Sequence, residues 1–95
     1  MKVPVHVFTH PTCTTCPQAI RLTQEVAEQD PDIEWRLTSL ATPAGRQEAA
    51  ARQILSVPTI LVGEPPIRLV GVPSRTALLQ AIARAKAQAT TYSFV

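Results

Sequence analysis

One short stretch decides the fold of this chain: Phe8-Thr9-His10-Pro11-Thr12-Cys13-Thr14-Thr15-Cys16-Pro17. Residues 3–9, which lead into this stretch and include its first two residues, are mostly β-branched and predict a strand. After it, small and apolar side chains recur at spacings of three and four, which predicts one face of a helix over residues 14–29. Both cysteines of the chain therefore lie where a strand passes into a helix.

The rest of the chain continues this alternation of strands and helices. The sequence predicts these elements: a strand over 33–40, a helix over 43–55, strands over 59–62 and 67–70, and a last helix over 74–86. In the second helix, Ala50, Ile54 and Leu55 are expected to face a core. Residues 88–95 form a tail that is either frayed or docked as a strand.

The order of these elements, β-α-β-α-β-β-α, predicts an α/β fold. The first β-α-β unit gives a parallel strand pair, and the short connection before the last strand gives an antiparallel hairpin. The expected architecture is a central four-stranded mixed sheet with three helices. At 95 residues the chain is long enough for a single domain over 1–95, with a core of about residues 3–87.

Composition and charge exclude several classes of function. The formal net charge is +2 and no cluster of Lys and Arg stands out, so we expect neither nucleic-acid binding nor a membrane-surface role. No apolar run approaches the length of a bilayer span, and residues 1–9 lack the apolar core of a signal peptide. We therefore expect a cytoplasmic protein, in which a purely structural disulfide would not persist.

The Cys-x-x-Cys spacing carries the chemistry. At i and i+3 of a helical turn, the sulfurs of Cys13 and Cys16 lie on one face and close enough for a disulfide. Cys13 is expected at the helix N-terminus, where free N–H groups favour a thiolate, and Cys16 on the core face. Cys13 would thus attack a substrate disulfide and Cys16 would resolve the mixed disulfide, with no bound cofactor and no metal.

A metal-binding function is the alternative. His10, Cys13 and Cys16 could together supply at most three nearby ligands, and a closed zinc site needs four. The alternative is therefore a dimeric metal or iron–sulfur carrier that binds through Cys13 and Cys16. Two interpretations fit His10: it is an imidazolium that lowers the pKa of the Cys13 thiol, or it is a solvated loop residue.

Two further stretches give the chain a family resemblance. Ser56-Val57-Pro58-Thr59-Ile60-Leu61-Val62 follows the Cys-x-x-Cys by about forty residues, and Leu69-Val70-Gly71 precedes a capped helix. Together with the first stretch they resemble the small glutaredoxin-like thioredoxins of the thioredoxin-fold superfamily. The resemblance departs at Thr12, where thioredoxins have tryptophan, and after Gly71, where glutaredoxins have Gly-Gly-x-x-Asp.

The resemblance implies a thioredoxin-like fold and a protein-disulfide reductase. It also implies that the Val57–Pro58 bond is cis, that its loop lies against the Cys-x-x-Cys, and that the backbone of Val57 pairs with a bound substrate strand. The substrate-binding residues that it implies are Thr12, Thr14, Thr15, Val57, Pro58 and Gly71. The implied partners are protein disulfide substrates and an electron donor, either a thioredoxin reductase or glutathione, and we expect a monomer.

Overall fold

The computed structural model describes the backbone of residues 2–93 and the side chains of residues 2–88. Seven elements follow one another: β1 (Val3–Thr9), α1 (Cys16–Glu28), β2 (Ile33–Ser39), α2 (Pro43–Ala51), β3 (Thr59–Val62), β4 (Ile67–Val70) and α3 (Arg75–Ser93). The predicted order and the predicted α/β class with a four-stranded mixed sheet are confirmed.

The four strands form a sheet in the order β2-β1-β3-β4. β1 pairs in parallel with β2, with Val3 opposite Ile33, and antiparallel with β3, with Val5 opposite Val62. β3 and β4 form the antiparallel hairpin. The C-terminal end of β1 leads into the Cys-x-x-Cys, so a strand that is paired on both sides positions the cysteines.

The sheet is covered on both faces, as the burial of β1 shows. Val3, Val5 and Val7 are buried in a cluster with residues of α1 and α3. Phe8, one residue out of phase, is buried on the opposite face with Ala49 of α2. This alternation follows from the two-residue period of a strand. Because both faces are buried, β1 reads in sequence as a nearly continuous apolar run.

α1 begins at Cys16, two residues later than predicted, with Thr15 as its N-cap. Pro17 explains the difference because it has no N–H, so it fits only in the first turn of a helix. The first regular bond of the helix is then donated by the N–H of Ala19 to the carbonyl of Thr15, at 3.4 Å. Cys13 consequently lies in the loop before the helix.

α2 ends at Ala51, so the prediction that it runs to residue 55 is wrong. Gln53 has φ 57°, its N–H donates to Ala50, and the N–H of Ile54 donates to Ala49. This is the Schellman ending of a helix, usually built on glycine. Ile54 is buried as expected, but Leu55 is 95% exposed and not part of the core. Ala50 is also exposed, and Ala49 takes its place in the core.

α3 extends to Ser93, well past the predicted end at residue 86. No glycine or proline occurs after Pro73, so no residue type in the sequence interrupts the helix. The expected tail is therefore helical over residues 88–93 and is neither frayed nor a strand. Phe94 and Val95, which also belong to that predicted tail, lie outside the described residues, as does Met1.

Candidate active site

Cys13 and Cys16 are joined by a disulfide across the loop that precedes α1. Their Cα atoms are 5.4 Å apart, within the range that a disulfide requires. The two sulfurs differ in environment because Cys16 is 2% exposed on the inner face of α1, whereas Cys13 is only partly buried. Only Cys13 can therefore be approached by a large molecule.

The backbone around the disulfide directs an N–H group at the outer sulfur. The N–H of Cys16 donates to Cys13 Sγ at 3.1 Å, and the hydroxyl of Thr15 lies 3.8 Å from the same sulfur. An N–H at the start of a helix carries part of the positive end of the helix dipole. Negative charge at Cys13 Sγ is therefore stabilised even though Cys13 precedes the helix.

Cys13 opens into a cleft of about 530 Å³. Four of the residues expected to bind substrate line it: Thr12, Thr14, Thr15 and Val57. Apolar side chains of Leu40, Ile54 and Leu55 complete the side of the cleft formed by the ends of β2 and α2. No acidic or basic side chain lines this cleft apart from the imidazole of His10.

The loop before β3 forms the other wall of the cleft. The Val57–Pro58 peptide bond is cis, as the resemblance implied, and Val57 lines the same cleft as Cys13. Pro58 is buried behind it, and its carbonyl accepts a 2.8 Å hydrogen bond from the N–H of Gly71. Gly71 thus does not line the cleft, and its link to the cleft is the hydrogen bond to Pro58.

His10 is tied to the loop by Thr12. The backbone N–H of Thr12 donates to His10 Nδ1 at 3.1 Å, and the Thr12 hydroxyl lies 2.8 Å from the same nitrogen. Because a backbone N–H can only donate, Nδ1 is an acceptor in this arrangement, and the ring proton is on Nε2. The His10 ring is thus held against the backbone of the loop that leads to Cys13.

Leu55 was predicted to face the core, but it is exposed and belongs to the site. It lies between the cleft beside Cys13 and a second one of about 270 Å³ that Arg68 and Val70 also line. Arg68 donates to the carbonyls of Arg52 and Gln53, at 2.8 and 3.1 Å, and so fixes the backbone just before Leu55. The signal available in sequence was the nearby Val-Pro-Thr, which places this segment beside the cysteines.

Two further features of the described residues bear on the alternatives. Among the side chains that the structure describes, those of residues 2–88, His, Cys, Asp and Glu nowhere gather in a group of three or more that could hold a metal ion. None of the helices within residues 2–93 combines the length and hydrophobicity that crossing a lipid bilayer requires.

Sequence comparisons identify relatives of the chain as a whole. The family described as thioredoxin domain matches residues 1–83. The chain is 36% identical over 84 residues to a thioredoxin of Methanocaldococcus jannaschii, covering 85% of this chain and 93% of that protein. A probable thioredoxin of Methanothermobacter thermautotrophicus is 34% identical over 82 residues, covering 86% of this chain and 94% of its own length.

Solved structures show the same fold at lower identity. The thioredoxin of Fasciola hepatica superimposes with a TM-score of 0.76 at 20% identity, over 88% of this chain and 81% of that one. A short form of thioredoxin F from spinach chloroplast superimposes with a TM-score of 0.75 at 22% identity, over 90% of this chain and 77% of that one.

The fold, the disulfide before α1 and these relatives define a thiol–disulfide oxidoreductase. With a family match over residues 1–83 and relatives above 30% identity along most of its length, the chain belongs to the thioredoxin family.

Proposed function

We propose that the chain reduces disulfide bonds in partner proteins, with Cys13 as the attacking thiol and Cys16 as the resolving thiol. The observation that carries this assignment is the asymmetry of the two sulfurs. Cys13 faces a cleft and accepts an N–H from the start of α1, whereas Cys16 is 2% exposed. A thiolate is favoured at the accessible sulfur, where a partner can reach it.

In the first step the Cys13 thiolate attacks one sulfur of the partner's disulfide. A bond forms between Cys13 Sγ and that sulfur, the partner's S–S bond breaks, and the other partner sulfur leaves as a thiolate. The N–H of Cys16 lies 3.1 Å from Cys13 Sγ and stabilises the negative charge before attack. The Thr15 hydroxyl, 3.8 Å away, is a second group near the same sulfur.

In the second step Cys16 resolves the mixed disulfide. Its thiol loses a proton to the departing partner thiolate or to water, and the Cys16 sulfur attacks Cys13 Sγ. The bond between Cys13 Sγ and the partner breaks, and the partner sulfur that was bound to Cys13 leaves as a thiolate. The partner has then gained two electrons, and Cys13 and Cys16 are joined by a disulfide. A Cα separation of 5.4 Å allows this bond to close without backbone movement.

The cleft supplies the binding surface for the partner. The backbone of Val57 would pair with an extended partner segment, and Thr12, Thr14 and Thr15 would contact the residues on either side of its cysteine. Pro58 supports Val57 from behind, held in turn by the hydrogen bond from Gly71. The uncharged lining suits segments whose residues next to the reactive cysteine are neutral or apolar.

Turnover needs a donor that reduces Cys13–Cys16 again. A thioredoxin reductase and glutathione are the two candidates, and the cytoplasm is the compartment in which we propose that the cycle runs. We also propose that residues 1–95 act as one unit in this cycle.

A trapping experiment tests the assignment. Cys13→Ser should abolish reduction of a protein disulfide, because no accessible thiolate remains. Cys16→Ser should retain the first step and accumulate a covalent mixed disulfide, visible as a mass shift that a thiol reagent reverses. The parent protein, assayed with either donor, identifies which of the two sustains turnover.

Three outcomes would contradict the proposal. One is mixed disulfides on Cys16 in the Cys13→Ser variant, and another is parent-like turnover by Cys16→Ser. The third is purification of the parent with stoichiometric zinc or an iron–sulfur absorption band that Cys13→Ser removes, which would establish the metal-carrier alternative instead.

A further inference from the structure

The edge strand β2 is open along one side. In the order β2-β1-β3-β4, β2 (Ile33–Ser39) has β1 as its only neighbour among the described strands. Strand edges of this length present a row of backbone N–H and C=O groups that can pair with another chain. What covers such an edge depends on which backbone groups are free and on the side chains that flank them.

The ladder to β1 fixes which groups of β2 point outward. The N–H of Val3 donates to the carbonyl of Asp32 at 2.7 Å, and the N–H of Leu40 donates to Thr9 at 2.8 Å. The backbone N–H and C=O groups of the even-numbered residues of β2 therefore point towards β1, because the direction of these groups alternates along a strand. Trp35 and Leu37 direct both their N–H and their C=O groups away from the sheet. The N–H of Ile33 is used in a turn with Asp30, but its carbonyl remains available.

The side chains beside this edge carry opposite charges two residues apart. Glu34 and Arg36 are both exposed and, being separated by two, project on the same face of the sheet. Glu34 has no ion-pair partner among residues 2–88, whose side chains the structure describes. Arg36 binds Glu48 through one nitrogen, and its side chain remains 58% exposed.

An antiparallel pairing of β2 with β2 of a second copy matches these features in one register. When Trp35 lies opposite Trp35 of the other copy, Glu34 of each copy lies opposite Arg36 of the other. Shifting the two-fold axis to Glu34 or to Arg36 would instead place like charges opposite each other. The same register lets the outward groups of Trp35 bond each other and lets the N–H of Leu37 reach the carbonyl of Ile33.

We propose that this edge is a homodimerisation surface, through which two copies join their sheets in the register centred on Trp35. Leu37, 47% exposed in one copy, lies directly opposite Ile33 of the second copy in this register. The proposal does not depend on the thiol chemistry. It replaces the monomer expected from sequence. An interface built on one short strand from each copy is small, so the dimer forms reversibly and with increasing protein concentration.

Sedimentation equilibrium over micromolar to millimolar concentrations measures this association, and fluorescence of Trp35, the chain's single tryptophan, reports on its location. The parent should show a rising average mass and a Trp35 emission shift over the same concentration range. Glu34→Lys should weaken association by about tenfold or more, because both symmetric attractions become repulsions. Glu28→Lys changes the same charge on α1 and should associate like the parent.

Complementation between two variants tests the register itself. Glu34→Lys and Arg36→Glu should each associate weakly alone, whereas their equimolar mixture restores both charge pairs and should form a heterodimer. Thermal melting checks that Arg36→Glu, which also loses its bond to Glu48, is folded; if it is not, Arg36→Gln takes its place, and the expected result is a partial recovery. A parent that stays monomeric at millimolar concentration, a Glu34→Lys variant that associates like the parent, or a mixture without recovery each overturns the proposal.

Discussion

The backbone N–H of Cys16 donates a 3.1 Å hydrogen bond to the Sγ atom of Cys13. This contact distinguishes the two sulfurs, because it brings a fixed positive partial charge to Cys13 Sγ and not to Cys16 Sγ. Pro17 contributes by forcing the helix to begin at Cys16, so that the N–H of this residue points back into the loop. The thiolate is therefore favoured at Cys13, although Cys13 is not itself helical.

Alkylation of the reduced protein at neutral pH measures this difference. We expect Cys13 to be labelled at least about tenfold faster than Cys16, because the thiolate is the reactive form and Cys16 is also shielded from the reagent. Mass spectrometry of peptides quenched at successive times gives both rates. Cys16→Ala should leave the rate at Cys13 high, since a backbone N–H remains. Equal rates, or faster labelling of Cys16, would reverse the assignment.

Leu55 should determine how tightly protein substrates bind. It is 95% exposed beside Cys13 and lies on a backbone that Arg68 holds in place, so a partner gains apolar contact without first ordering the segment. Leu55→Ser should raise KM for a protein disulfide severalfold and leave turnover of a small-molecule disulfide unchanged. The comparison separates partner binding from thiol reactivity.

Leu79→Ser is the matched control. Leu79 is also exposed, at 47%, but lies on α3 and does not line the clefts beside Leu55. It should leave both kinetic constants unchanged. If the two leucine variants behave alike, or if Leu55→Ser slows the small disulfide equally, Leu55 has no special part in partner binding.

The sequence predicted most of the fold because its signals were local. Each signal lies within one element, as do the alternation in β1, the proline after Cys16 and the apolar stripe of α1. The order of the strands and helices then limits the topology. The thioredoxin resemblance added the cis bond at Pro58, which no local signal indicates. The cysteines and Val57 could be placed together because the two motifs belong to one known arrangement.

The end of α2 could not be predicted for a physical reason. Gln53 adopts φ 57°, a conformation that usually requires glycine, and the partners that stabilise it are distant in sequence. Arg68 binds the carbonyl of Gln53 from fifteen residues away, and Ile54 is drawn into the core beside Phe8. A helical pattern that includes Leu55 therefore extends the helix by four residues and wrongly predicts that Leu55 is buried.

The buried histidine of β1 should make stability depend on pH. His6 is 6% exposed and lies 2.6 Å, through Nε2, from the hydroxyl of Thr38, which donates to Glu48. Burial, followed by the nearby charge of Arg36, lowers the pKa of His6 from 6.5 to about 4. The folded protein therefore binds this proton more weakly than the unfolded chain does.

The expected consequence is a loss of stability as pH falls from about 6.5 towards 4, by up to roughly 3 kcal/mol, with full stability from this group above that window. Denaturant unfolding at a series of pH values measures it. His6→Gln should flatten the curve within that window, because the group that must take up a proton is gone. A parent whose unfolding free energy stays constant from pH 6.5 to 4.5 would show that His6 does not titrate as its burial implies.

Two glycines with the same backbone conformation form a matched pair for testing packing. Gly63 and Gly71 have φ values of 83° and 85°, so alanine at either position is strained to a similar degree. Their surroundings differ, because a Cβ on Gly71 would meet nothing within 4 Å, whereas a Cβ on Gly63 would lie 2.7 Å from the Cβ of Ala85. Gly63 thus lets α3 approach the turn between β3 and β4.

Gly71→Ala should lower the free energy of unfolding by about 1–2 kcal/mol, the cost of the backbone conformation alone. Gly63→Ala should cost about 1–3 kcal/mol more, because the alanine methyl also pushes α3 away from the hairpin turn. Denaturant unfolding of both variants gives the difference directly. Because Gly71 donates its N–H to Pro58, its variant should also be assayed for activity, with the backbone bond expected to survive. Equal destabilisation by the two substitutions would mean that α3 does not pack against Gly63 as closely as the structure has it.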